Sequence, residues 1–246
     1  MATIGGGAYD DSLNGTSGPD HIFGNAGDDL VFGGNDSDFV SGGAGADVLF
    51  GNNGEDVVTG GAGEDYLFAG NGDDIVLGNA DADILFGNNG SDALQGNAGD
   101  DYLRGGNDDD VVQGGEGNDI LDGSNGSDVL LGGAGDDVLR GGNGTDIVNG
   151  GEGDDILSGG NNADTFVFSG GGGNDVVLDF KAGEDVLQIT KGINGSEIAS
   201  AEDVASQATQ VGANTVIDLG NGDTITLVNV NADDVQANPS DFFSVH

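Results

Sequence analysis

Along the first two-thirds of the chain an apolar residue returns at every ninth position, always two places after an aspartate. The apolar column runs from Leu13 and Ile22 through Val31, Leu49 and Leu85 to Leu157 and Phe166. Its partner column is Asp11, Asp20, Asp29, Asp38, Asp47, Asp56, Asp65, Asp74, Asp83, Asp92, Asp101, Asp110, Asp119, Asp128, Asp137, Asp146, Asp155 and Asp164, eighteen aspartates without a break. Gly stands five places before each of them except Asp74, where Ala69 takes the position, and Gly is usual two places before. Four of the five departures at that second place are Asp36, Asp81, Asp108 and Asn162, which tolerate left-handed dihedrals; Tyr9 is the fifth. A nine-residue period belongs to short solenoid repeats. Each phrase therefore predicts a six-residue turn closed by Asp and a three-residue strand with its middle side chain inward. Two phrases make one eighteen-residue coil, so successive strands fall on two different sheets.

The turns also carry the candidate chemistry. Ca2+ is a hard cation that takes about 6–8 oxygen ligands. Gly-rich turns can aim main-chain carbonyls inward while Asp adds a charged oxygen, and the lattice holds no softer ligand. The phrase GGEGNDILD at 114–122 fits GGxGxDxUx at every fixed position. By this phrase and its tandem copies, the chain resembles the RTX (repeats-in-toxin, haemolysin-type) calcium-binding proteins over about two-thirds of its length. The resemblance implies an all-β fold: a parallel β-roll (right-handed β-solenoid) of about nine 18-residue coils at 1–168, then a small mainly-β C-terminal cap at 169–246. It also implies calcium held between turns of repeats n and n+2 by the column from Asp20 to Asp164, with at most roughly 16 ions.

Composition strengthens the metal reading. Of 246 residues only 35% are hydrophobic, Trp is absent and 52 are Gly, which is little side chain for an ordinary core. Asp and Glu total 45 against four Lys and Arg, so the net charge of −41 repels nucleic acid and anionic membrane surfaces and favours a cation as partner. About 32 positive charges from calcium would bring the chain near −9, which makes compaction feasible. The expectation is a chain disordered without calcium and folded with it. Asp28, Glu55, Glu64, Asp73, Asp100, Asp136 and Asp154, each just before a lattice aspartate, read as solvated surface charge. The chain has no Cys, which excludes disulfides and thiolate sites.

Beyond ADTFVF the nine-residue clock stops. The next segment predicts two strands, a helix capped by Ser200 and stopped by Gly212, and a hairpin turning at Gly220, Asn221, Gly222 and Asp223. The start of the chain shows no basic, apolar leader. The tail resembles the C-terminal regions of RTX proteins that use a type I exporter: Asp241, Phe242 and Phe243 match, while Ser244 and His246 depart.

No active site can be assembled, because the two histidines, His21 and His246, lie at opposite ends of the chain. No apolar segment is available for membrane insertion. What stands out is the outward column Phe32, Phe50, Phe68 and Phe86, one ring per coil on one sheet. Such a stripe is either covered, by the cap or by its own stacking, or it is a face for self-association or for a protein or surface partner. The expected function is that of a secreted, extracellular or cell-surface calcium-binding protein that is not an enzyme and acts as a surface, matrix or interaction protein. The alternative is a calcium-dependent folding or secretion module of a larger RTX enzyme of protease, lipase or alginate epimerase type. About five residues precede the first phrase, so with Met1 as the native start that alternative would fail.

Overall fold

A computed structural model describes all 246 residues. Each phrase forms one strand, and successive strands are laid alternately into two sheets of 12 and 13 strands. Within each sheet the repeats pair in parallel at a register of eighteen residues: Leu49 lies beside Leu67, Phe50 beside Phe68, and Val58 beside Val76. The result is an all-β parallel roll of roughly ten turns. Its core is the predicted apolar column, fully buried from Ile22 to Phe166, with Leu13 partly buried at the open start.

The strands are longer than the pattern predicts. Val48–Asn53 and Val57–Ala62 are typical six-residue strands, so only three residues remain for each bend. Ladder pairing continues through the glycines, as Asn52 opposite Gly70 and Asn53 opposite Asn71 illustrate. Nothing in a glycine side chain signals this, because the pairing is main chain to main chain. The coil turns its corner through positive φ values, 81° at Asn52 and 138° at Gly54. At Gly54 a Cβ would sit 2.4 Å from the Asp36 carbonyl oxygen of the previous coil, which is why this place tolerates so little.

Beyond residue 168 both sheets continue. Asn174–Val177 and Val186–Ile189 each add a parallel strand to one sheet. The sheet that carries the phenylalanines ends in an antiparallel meander of Asp223–Leu227, Asn214–Gly220 and Ala208–Val211. The other ends in Phe243–Val245, parallel to Val186–Ile189, with Phe242 and Phe243 buried in the same core as the roll. The hairpin falls where the sequence placed it. The helix begins as predicted, at Ala201 with the Ser200 hydroxyl accepting from the Asp203 N–H at 3.3 Å, but it ends at Ser206. The residues up to Val211 pair as a strand instead, because the end of the sheet needs a partner more than a short helix needs another turn. A second helix, Ala232–Ala237, closes the end of the roll with its Val235 buried.

Candidate calcium sites in the turns

The lattice aspartates stand in two columns, one along each edge of the roll, and all from Asp20 to Asp164 are buried. In each from Asp29 onwards, Oδ1 accepts the N–H of the aspartate one coil earlier: Asp47 from Asp29 at 2.7 Å, Asp65 from Asp47 at 2.8 Å, Asp83 from Asp65 at 2.8 Å. The second oxygen, Oδ2, turns towards the glycine five places before. A Cβ on Gly42 would lie 2.1 Å from Asp47 Oδ2, which gives the first glycine column a physical reason.

That Oδ2 is the unusual atom. In all sixteen aspartates from Asp29 to Asp164 it is buried and has no hydrogen-bond partner. At the start of the roll the pattern differs: Asp11 Oδ2 accepts the Gly7 N–H at 2.6 Å, and Asp20 Oδ2 accepts the Thr16 N–H at 2.6 Å and its hydroxyl at 2.7 Å. Sixteen unpartnered carboxylate oxygens in two rows amount to a standing demand for positive charge. Their acidity reports the same demand. Burial, reinforced by carboxylates of adjacent coils, pushes Asp65, Asp74, Asp83 and Asp137 up to about 7 and Asp110 up to about 8, from 3.8. Asp20 moves the opposite way, held below the ordinary range by the Ala2 N–H and then by Thr16.

The donor set is oxygen only. No cluster of three or more His, Cys, Asp or Glu side chains suited to a metal ion occurs, so an ion in a turn must draw on main-chain carbonyls and on carboxylates from successive coils. Such carbonyls are close: a Cβ on Gly61 would lie 2.0 Å from the Gly43 oxygen, and one on Gly63 2.3 Å from the Gly45 oxygen. Oxygen donors in a flexible, Gly-built cradle fit a hard cation of calcium's type.

Two further ladders accompany the columns. The acids just before the lattice aspartates are not merely solvated charge: Asp28 accepts the Ala46 N–H at 2.9 Å, Asp73 that of Ser91 at 2.9 Å, and Asp136 that of Asp154 at 2.8 Å. These bonds run opposite to the Oδ1 bonds and tie each coil to the next. Glu55 and Glu64, one carbon longer, make no such bond. Along one edge of the phenylalanine sheet, Asn35, Asn53, Asn71, Asn89, Asn107, Asn125, Asn143 and Asn161 form a continuous amide ladder with bonds of 2.8–3.1 Å. Their eighteen-residue spacing stands in the sequence, but an amide column carries neither the apolar signal of a core nor the charge of an ion site.

Both aspartate columns also run one step further than the repeats. Asp155 donates its N–H to Asp175 Oδ1 and Asp164 donates to Asp185 Oδ1, both at 3.0 Å. The spacing there is 20 and 21 residues rather than eighteen, so the clock does not stop at Phe168; it is interrupted by short insertions.

The phenylalanine stripe is a stack. Phe32, Phe50, Phe68 and Phe86 have successive ring centroids 5.0, 4.9 and 5.1 Å apart with planes within 9°, and Tyr102 follows Phe86 at 6.0 Å, tilted. All four phenylalanines are half-buried by one another and not by the cap, which sits at the end of the roll. Further along the column, Arg104 and Asp122 pair at 3.7 Å, while Arg140 has no ion partner. His21 and His246 are exposed at the two ends of the molecule.

A parallel β-roll whose turns bury two rows of unpartnered carboxylate oxygens has the architecture of a cation-binding solenoid. The family model of the RTX calcium-binding nonapeptide repeat matches overlapping windows from residue 5 to residue 177, more than half of the chain. The chain belongs to this family, and it is a calcium-binding RTX repeat protein. A comparison with curated proteins finds no match. Among solved structures, the extracellular lipase LipA from Serratia marcescens is similar over 98% of this chain, at 20% identity and a TM-score of 0.33. The chain spans 39% of the length of that protein.

Proposed function

We propose that this is a secreted, non-enzymatic protein that folds when it meets extracellular calcium and then works as a surface, matrix or interaction protein. The observation that carries the reading is the pair of rows of buried, unpartnered Oδ2 atoms. Without a cation, each such carboxylate must be protonated or left unpaired at a cost. The aspartates from Asp20 to Asp164 are the proposed ligands, and ions between successive coils on both edges number at most about 16. Low cytosolic calcium would leave the roll unfolded and the chain suited to a type I exporter that reads its C-terminal region. The partner face is the phenylalanine sheet, because four stacked, half-buried rings stand there in successive coils, on strands without a charged residue.

Far-ultraviolet circular dichroism tests the folding step: most of the strand signal, that of the roll, should be lost in excess EGTA and return in millimolar Ca2+, and equal spectra in both would refute it. Deletion of 191–246 should keep the protein out of the medium in a host with a matching exporter; continued export would remove that part of the reading. Light scattering in Ca2+ tests self-association through the face. A mass above the monomer that falls with Phe50→Ser and Phe68→Ser supports it, and an unchanged monomer excludes it.

A further inference from the structure

The two edge columns end differently at the cap. In the column that contains Asp20 and Asp164, the carbonyl four places before each aspartate is aimed at the same place in the next coil. A Cβ on Gly70 would lie 2.1 Å from the Asn52 oxygen, one on Gly106 2.3 Å from the Asn88 oxygen, and one on Gly160 2.2 Å from the Gly142 oxygen. The next member of this row, four places before Asp185, is Lys181. Its ammonium donates to the Gly160 carbonyl at 2.6 Å, and its N–H donates to Asp185 Oδ2 at 2.8 Å. Asp185 therefore lacks the free oxygen that marks the aspartates before it.

The loop that delivers Lys181 is anchored independently. The Asp179 carboxylate accepts from the Ser158 hydroxyl at 2.6 Å and from the N–H groups of Gly159 and Gly160 at 3.0 and 2.9 Å. Asp179 occupies the place where a regular phrase has glycine, so the repeat is replaced here by a charged pair that grips the last regular turn. The other column receives no such cation. Its corresponding residue is Gly171, with nothing within 4 Å of a Cβ, and its last aspartate, Asp175, is surrounded by Asp155, Asp154 and Asp223.

We propose that the Lys181 ammonium is a built-in cation that takes the last calcium position of the Asp20–Asp164 column, closing that end of the roll without metal. An ammonium carries one positive charge and three N–H donors, and a carbonyl oxygen able to ligate calcium can also accept a hydrogen bond from it. Because it is tethered, its local concentration is fixed and does not depend on free calcium. One edge should therefore bind one ion fewer than the geometry of its aspartates allows, and the cap should stay joined to the last coil at calcium levels too low for the rest of the roll. The inference rests on calcium occupying the turns.

Native mass spectrometry of the full chain in Ca2+ reads the ion count. Lys181→Gln should bind one more calcium than the wild type, and Lys181→Arg, which keeps the charge, the same number. A folded Lys181→Gln with the wild-type count overturns the proposal. A crystal structure of the calcium-loaded wild type decides the matter even if that variant does not fold. Ions along both columns with Nζ on the Gly160 oxygen support the proposal, whereas ions along both columns with one bound to the Gly160 oxygen overturn it. Absence of ions from both columns would instead overturn the turn-site reading itself.

Discussion

The repeat region and the cap solve the same problem with opposite means. In the roll one inward apolar residue per phrase, such as Leu103 or Val112, shares the interior with a buried carboxylate oxygen that no protein group satisfies. In the cap the interior is dense with side chains, among them Phe180, Ile189, Ile217, Leu227 and Phe242, and of its buried side-chain polar atoms only Asn194 Nδ2 lacks a partner within the chain. Thr215 donates to the Val230 carbonyl at 2.9 Å, the Asn231 side chain caps its helix by accepting from the Asp233 N–H at 2.9 Å, and Asp185 accepts from Lys181. The difference teaches where the proposed metal requirement comes from. It belongs to how the roll is built, one apolar side chain and one unsatisfied acid at a time, rather than to the fold as a whole.

Acid should imitate calcium in the roll, and this is the largest effect expected short of adding the metal. Most of the buried lattice aspartates, among them Asp110, Asp137 and Asp146, have folded-state values raised to about 6–8 against 3.8 for the free group. Between those values the folded roll holds more protons than the unfolded chain, so the contribution is complete below 3.8 and fades as pH rises through about 6 to 8. Calcium-stripped protein should gain strand signal by circular dichroism when pH falls from 8 to 5, and calcium affinity should weaken over the same range as protons compete for Oδ2. A calcium-free spectrum that does not change with pH would contradict this.

Core truncation sharpens the contrast. Leu103→Ala should cost about 2–5 kcal/mol in denaturant unfolding at saturating calcium. Without calcium it should cost nothing, since on the proposed reading the roll would have no fold to lose. Ile217→Ala, in the cap, should be felt under both conditions. A smaller loss, about 1–3 kcal/mol, is expected for Gly117→Ala, where φ is 127° and a Cβ would lie 2.0 Å from the Gly99 oxygen. Calcium titration of that variant should show a higher midpoint. Breaking the aromatic stack by Phe50→Ser should cost least, about 1 kcal/mol beyond the lost burial, because each ring retains its strand partners. Thermal unfolding in calcium measures it.

Most of the roll was legible in the sequence because the period is strict and each column has one physical job: Asp47 in the turn, Leu49 in the core, Phe50 outside. The longer strands were not legible, since pairing through Gly51 and Asn52 is main chain to main chain and leaves no side-chain pattern. Asp175 and Asp185 escaped because insertions moved them off the nine-residue count, although GGGGNDVVL still keeps the phrase's glycines, aspartate and inward valine. In the cap, Ser200 announced its helix, but the end of that helix was set by the strand Asn214–Gly220 and not by Gly212. Lys181 could not be read in advance, because its meaning depends on a carbonyl 21 residues away.

Residue-resolved hydrogen exchange, with and without calcium, tests the central claim most directly. Its probes are the N–H groups of Asp47, Asp83 and Asp119, which donate to Asp65, Asp101 and Asp137, set against those of the cap hairpin at Asn214–Leu227. The roll amides should be protected in millimolar calcium and exchange freely in EGTA, while the hairpin amides keep protection in both. Roll amides protected to the same degree with and without calcium would contradict the account.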